Sequence, residues 1–329
     1  MIQWTRDDYS WSHNTDTSAI HSILQYTDKA GMTMTEVMGY TGHAFRIIID
    51  KNEVEVGSYS FFDWKLRHAG AMANLGLSVR TTGQQTNTPP TPEELEEGIR
   101  FLHETLDRGI PALGWDLFIP EWGVIYGYDD DKRVFRCRDV RMDGDLPYEK
   151  LGRGEVTELY VLTVTGSQPV DKLTMLRGAL RLAINHAHTQ YAELLEGSHR
   201  NGLAAYDAWI EAFENRTADP FGNSVNVGKV ADAREFAARF LWELSEKEEG
   251  LASTDQGYEV TAIALQAAEQ YGAVAERLAE LRGMFPFPQG GEPREDAQAE
   301  RAIRLLREAK AAEEQGVELL ERMLEALGE

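Results

Sequence analysis

The chain has 329 residues, enough for two domains of ordinary size. Its 33 basic and 55 acidic residues leave a net charge of −22. A surplus of that sign excludes a nucleic-acid binder, which needs a cationic face to displace phosphate counterions, and speaks against docking on anionic lipid.

Hydrophobic residues make up 42% and charged residues 27%, the balance of a globular chain rather than a disordered one. The one cysteine, Cys137, rules out a disulfide framework and a thiolate zinc cluster. Residues 1–8 are polar and acidic with no apolar stretch behind them, so no secretion signal is expected. No run approaches the roughly 20 apolar residues of a membrane span. The expectation is a cytoplasmic protein, and composition leaves both a monomer and a homo-oligomer open. Residues 1–168 carry 16 basic and 26 acidic residues, and residues 169–329 carry 17 and 29. Acidity is therefore a global property, not a tail.

The first half mixes short elements. Residues 15–26 read as a helix whose start, Asn14-Thr15-Asp16-Thr17-Ser18, is crowded with cap formers. Residues 33–38 form a second, short helix. Strands are predicted over 44–49, 111–115, 122–126, 134–137 and 159–164, each rich in β-branched or aromatic residues. Residues 81–90 read as a loop. Thr91 then caps a helix running to about Arg108, with Pro92 at its first position, Glu93 and Glu94 against the dipole and Gly109 as its stop. Tyr128 to Arg133 form a hairpin turn.

From residue 171 the period changes to that of helices. Leu173, Leu176, Leu180, Ile184, Ala187, Tyr191 and Leu195 recur at three- and four-residue steps. Further helices are predicted over 202–214, 228–247, 255–282 and 293–327, with breakers at 219–222 and 285–291. Long amphipathic helices joined by short loops favour a bundle. The predicted division is an α/β domain over 1–168 and a helical bundle over 169–329, an α+β chain overall.

Several residues invite a chemical reading. Cys137 lies in a strand between two arginines, and a free cysteine there is first of all a buried side chain. A catalytic thiolate sits at a helix N-terminus or beside an imidazole. His186 and His188 are two apart on a helix and so face different ways, unlike the i, i+4 pair of a helical metal site. Asn215-Arg216-Thr217 matches a glycosylation sequon that carries little weight without a secretion signal. Residues 222–229 contain a glycine and a lysine without the spacing of a phosphate-binding loop. No cofactor is implied. Trp11, Trp115, Phe118 and Trp122 are candidate pocket walls, though each taken alone reads first as an ordinary core residue.

Four segments gain meaning together. Asn14 to Tyr26 opens a helix that ends in Leu24-Gln25-Tyr26. Met38-Gly39-Tyr40-Thr41-Gly42-His43-Ala44-Phe45 follows. Pro120-Glu121-Trp122-Gly123-Val124-Ile125-Tyr126-Gly127-Tyr128-Asp129 comes next, and Val134 to Asp139 ends the series. Their order resembles a papain-like fold of the bacteriocin-processing, double-glycine peptidase type. More closely, residues 10–165 resemble the N-terminal domain of the butirosin-biosynthesis acyltransferase family. The helical remainder, with Gly202 to Trp209 and Asp219-Pro220-Phe221-Gly222, is similar to the partner domain found with it.

The resemblance implies a nucleophilic cysteine at the start of the first helix, a histidine base before the apolar strand and an orienting acid after the next one. Thr15 falls at the first position, or Thr17 if the register shifts by two. Glu121 falls at the second and Asp139 at the third. The cysteine and histidine are thus replaced, and the thiolate–imidazolium mechanism is not available at these positions. Three readings follow. The first is a catalytically degenerate papain-like protein that binds a small amine- or peptide-like ligand with Asn14, Asp16, Thr17, Ser18 and Trp122. The second is an acyltransferase or amide hydrolase with Thr15, Thr17 or Ser18 as nucleophile. The third is a divalent-metal site built on the carboxylates of Asp16, Glu121 and Asp139, with His13 as a further ligand. Against all three stands the reading in which these residues only cap a helix and hold loops.

Overall fold

A computed structural model describes residues 2, 4, 9, 11–247 and 255–328. Helix and strand are both present, and the chain is of mixed α and β class. It divides into two compact units. The first comprises residues 1–37 and 63–170, the second residues 38–62 and 171–329.

The first unit is built on one antiparallel sheet. Its strands are β2 (Leu77–Gly83), β3 (Ala112–Trp115), β4 (Trp122–Asp129), β5 (Val134–Arg138), β6 (Asp143–Pro147) and β7 (Tyr160–Ser167), in spatial order β2-β7-β3-β4-β5-β6. Successive side chains of a strand face opposite ways. One face carries Ala112, Ile125, Phe135, Cys137, Leu146 and Val161, which close a core with Phe101, Leu102 and Leu106 of α4 (Pro92–Asp107). Cys137 is fully buried there, and burial pushes its thiol up, away from reactivity. The other face carries Trp115, Trp122 and Tyr160. Trp122 and Tyr160 lie against Trp64 and His68 of α3 (Trp64–Asn74), and α1 (Thr15–Leu24) packs on β3 and β4.

α4 starts as its sequence dictates. The Thr91 hydroxyl accepts from the Glu94 amide at 3.2 Å, and the Glu94 carboxylate accepts from the Thr91 amide at 2.8 Å. The turn between β4 and β5 spans Asp130 to Arg133. Lys132 N donates to Asp129 Oδ1 at 3.1 Å, and Arg133 takes the left-handed conformation at φ 54°.

α2 (Met34–Tyr40) carries the chain into the second unit. There β1 (Ile48–Asp50) pairs antiparallel with β8 (His199–Asn201). The helices are α5 (Lys172–His188), α6 (Leu203–Glu214), α7 (Pro220–Lys247), α8 (Asp255–Met284) and α9 (Asp296–Ala326). α7, α8 and α9 pack in succession, and α5 and α6 pack on α9. Their apolar core takes in Trp209, Phe213, Val227, Val230, Leu278 and Leu306, together with Ile47, Ile49 and Val54 from the early segment.

A buried polar network sits in that unit. Arg234 forks onto Glu313, Nε to Oε2 at 2.8 Å and Nη2 to Oε1 at 2.6 Å. Its Nη1 donates to the carbonyls of Ala44 (3.1 Å) and Arg46 (2.9 Å), and the Tyr206 hydroxyl donates to Glu313 at 2.5 Å. Each nitrogen of the guanidinium and each oxygen of the carboxylate has a partner, as a buried charge requires. His186 is likewise structural: its ring bonds the Ile47 backbone and the Tyr191 hydroxyl, while His188 lies exposed beside Glu321.

Several elements differ from expectation. Residues 38–62 fall in the second unit with residues 171–329, because β1 pairs with β8 and its neighbours enter the second core. The strand predicted over 44–49 is instead a 3-10 turn at His43–Phe45 followed by β1. Part of the loop predicted over 81–90 is the end of β2. α7 starts at Pro220, inside the predicted breaker, because proline is well tolerated in a first helical turn. Among the described residues, no helix is long and apolar enough to cross a membrane.

Candidate functional site

The site is built where α1 meets the loop before β4. Asn14 is the N-cap residue of α1, and its carbonyl accepts from Ser18 N at 3.0 Å and from the Ser18 hydroxyl at 3.2 Å. Asp16 turns back on its own helix, where Oδ1 accepts from Thr17 N at 2.8 Å and from the Thr17 hydroxyl at 3.5 Å. Thr17 and Ser18 are thereby engaged locally, and both are fully buried. Thr15 is different. Its hydroxyl donates to Glu121 Oε2 at 2.5 Å and accepts from Trp122 N at 3.2 Å. Of the two threonine registers the sequence leaves open, Thr15 is the one whose hydroxyl meets Glu121.

Glu121 is placed by its loop. Asp116 N donates to the Glu121 carbonyl at 3.0 Å, and Glu121 N donates to the Ile119 carbonyl at 2.6 Å. Asp139, fully buried after β5, pins the middle of that loop by accepting from Phe118 N at 3.1 Å. Its other oxygen accepts from Arg141 N at 2.8 Å and Met142 N at 3.0 Å, closing the turn into β6. Burial raises the Asp139 carboxyl above its ordinary value, against the pull of these amides. Asp139 thus reaches Glu121 through the loop, and the three positions that the resemblance singles out lie around one stretch of backbone. Tyr9 stands close by. Burial raises its hydroxyl, as do the charges of Asp139 and Glu121, while Arg138 lies over its ring at 5.2 Å.

On the same face of the sheet lies a group that the sequence reading did not weigh. His68 is buried, with Nδ1 at 3.2 Å from the Tyr160 hydroxyl and Nε2 at 3.9 Å from Asp16 Oδ2. Its ring stands edge-on to Trp122 at 5.0 Å. Trp64, one helical turn earlier, packs against Trp115 at 4.9 Å and Trp122 at 4.8 Å. The signal was the i, i+4 spacing of Trp64 and His68, which puts both on one face of a helix.

The proposed pocket walls do not form one surface. Trp115 and Trp122 bury against each other at 4.9 Å, Phe118 packs on the core of the opposite face, and Trp11 is 65% exposed beside His13. No family model matches this chain, and no curated protein matches it significantly.

Proposed function

We propose that this chain is a catalytically degenerate papain-like protein that binds a small amine- or peptide-like ligand at the α1 N-terminus. The observation that carries the reading is the 2.5 Å contact between the Thr15 hydroxyl and Glu121. It supports the papain-like resemblance, because the nucleophile and base positions of that family should adjoin. It also supports loss of the chemistry. An alcohol is a weak nucleophile until a base takes its proton. A carboxylate, with a reference pKa of about 4.3 against about 6.5 for imidazole, is a poor base for that step. The hydroxyl is besides held by a donor and an acceptor, on a residue that is only 4% exposed. The acidic character of Asp16 and Glu121 favours a ligand that carries a cation or N–H donors.

The same contact supports one competing reading, an acyltransferase or amide hydrolase in which Glu121 activates Thr15. Two measurements separate them. Putrescine, n-butylamine and short peptides should raise the melting temperature of the whole protein. An activated acyl thioester should leave no covalent adduct on residues 14–18. An adduct there, lost in Thr15→Ala, would replace binding by acyl transfer. Stoichiometric divalent metal in protein purified without chelator would replace it by the cation-binding reading.

A further inference from the structure

The loop that carries Glu121 begins at Asp116, a residue with four unusual properties at once. It is 2% exposed. Its backbone is left-handed, φ 50°, a conformation that only glycine adopts freely and that aspartate tolerates better than most. Its Oδ2 accepts from Val156 N at 2.6 Å, yet its Oδ1 is buried with no partner in hydrogen-bonding geometry among the described residues. The opposing backbone is Gly154, where a Cβ would stand 2.4 Å from Oδ2 and 2.7 Å from Oδ1. The carboxyl is therefore seated against bare backbone, while the amide of the same residue donates to the Glu121 carbonyl at 3.0 Å.

A buried carboxylate anion with a bare oxygen is costly, whereas a neutral carboxylic acid in the same place is far less so. The surrounding charges act in the same sense. Glu155 lies on the adjoining segment, and Asp139 comes from the turn after β5. Glu158, also buried, feels the charge of Asp116 in return. Arg141 lies 4.0 Å from Glu155 at the surface, and the Arg153 guanidinium is turned to the Pro90 carbonyl at 2.8 Å.

We propose that Asp116 is a positioning residue for Glu121 and that it works as the neutral acid, so that the placement of Glu121 against Thr15 depends on one buried proton. In support, burial raises the Asp116 carboxyl above its ordinary value, with the charges of Glu155 and Asp139 adding to the effect and the Val156 and Glu155 amides opposing it. The sign of the consequence follows. A carboxyl raised in the folded state gives stability that is complete below its unfolded value of 3.8 and is lost as pH rises through the folded value. This inference does not depend on which ligand the protein takes, or on whether it takes one.

The test is thermal unfolding of the full-length protein from pH 4 to pH 8, for wild type, Asp116→Asn and Asp116→Ala. Asparagine copies the shape of the neutral acid and cannot ionise. Relative to Asp116→Asn, wild type should lose roughly 3 °C per pH unit between the unfolded value of 3.8 and the titration of Asp116 in the folded protein, and run parallel to it at higher pH. Asp116→Asn should match or exceed wild type at pH 8. Asp116→Ala, which strips the Val156 amide of its acceptor, should melt lower at every pH. The infrared spectrum supplies a second readout that does not depend on stability. The C=O band of a protonated carboxylic acid should persist to higher pH in wild type than in Asp116→Asn. Profiles of wild type and Asp116→Asn that run parallel over the whole pH range, or identical acid bands in the two, would overturn the proposal. So would an Asp116→Asn variant as unstable as Asp116→Ala at every pH.

Discussion

Replacing Thr15 by valine removes a single hydroxyl and keeps the branched shape, and the structure fixes what that deletion costs. The hydroxyl serves two partners, Glu121 Oε2 at 2.5 Å and Trp122 N at 3.2 Å. Trp122 is 1% exposed, so its amide has no easy recourse to water. A buried N–H left without an acceptor costs about 1–3 kcal/mol. Glu121 is only half-buried and can turn toward solvent, so its share of the loss is discounted. The expected destabilisation of Thr15→Val is therefore about 2 kcal/mol, or a fall in Tm of roughly 4–8 °C. Urea unfolding followed by tryptophan fluorescence reads it directly. Glu121→Gln keeps an acceptor but loses the charge, and should cost about 1 kcal/mol. The double variant should cost less than the sum of the two, because they share one bond. A Thr15→Val protein within 0.5 kcal/mol of wild type would refute the idea that this hydroxyl clamps the start of α1 to the loop before β4.

Three further outcomes are expected. Arg234→Met leaves the Glu313 carboxylate buried with its cation gone, and should destabilise the protein by about 3–5 kcal/mol in chemical unfolding. Adding Glu313→Leu should restore part of that loss, and a double variant no better than the single would contradict the network described. Gly154→Ala drives a methyl group to 2.4 Å from the Asp116 carboxyl and should lower the Tm by several degrees, whereas Gly109→Ala meets no neighbour and strains only its left-handed backbone. Cys137, enclosed in the sheet core, should react with a thiol reagent only as fast as the protein unfolds, measured by release of the chromophore with and without denaturant.

What could be read from the sequence divides along physical lines. The Thr91 cap of α4 and the hairpin turn over Tyr128 to Arg133 involve only residues close in the chain, and both are present; the reciprocal Glu94 bond to the Thr91 amide is a detail the structure adds. β6, by contrast, is written Asp143-Gly-Asp-Leu-Pro, which locally looks like a turn. It becomes a strand because β5 offers an edge with which to pair, and only Leu146 is buried. β8 is three residues long and exists through β1. The allegiance of residues 38–62 is likewise set by partners more than a hundred residues away. At the site, Thr15 and Glu121 could be paired in sequence only through a family resemblance, since 106 residues separate them. The spacing of Trp64 and His68 marks a shared helix face, but nothing in the sequence places His68 near Asp16 and Tyr160. Asp116 was silent for the same reason: its left-handed backbone and its bare oxygen exist only in the folded loop.

The most direct test of the central claim is to put back the side chains that the resembled family carries. In Thr15→Cys with Glu121→His, a thiol and an imidazole would occupy positions now 2.5 Å apart. A cysteine paired with an imidazolium ionises far below its ordinary value of about 8.5. Alkylation by iodoacetamide at pH 6, followed by mass spectrometry of the intact chain, should then be at least about tenfold faster than in Thr15→Cys alone, with the adduct on residue 15. Equal rates in the two variants would mean that residues 15 and 121 do not hold the nucleophile and base positions of a papain-like site.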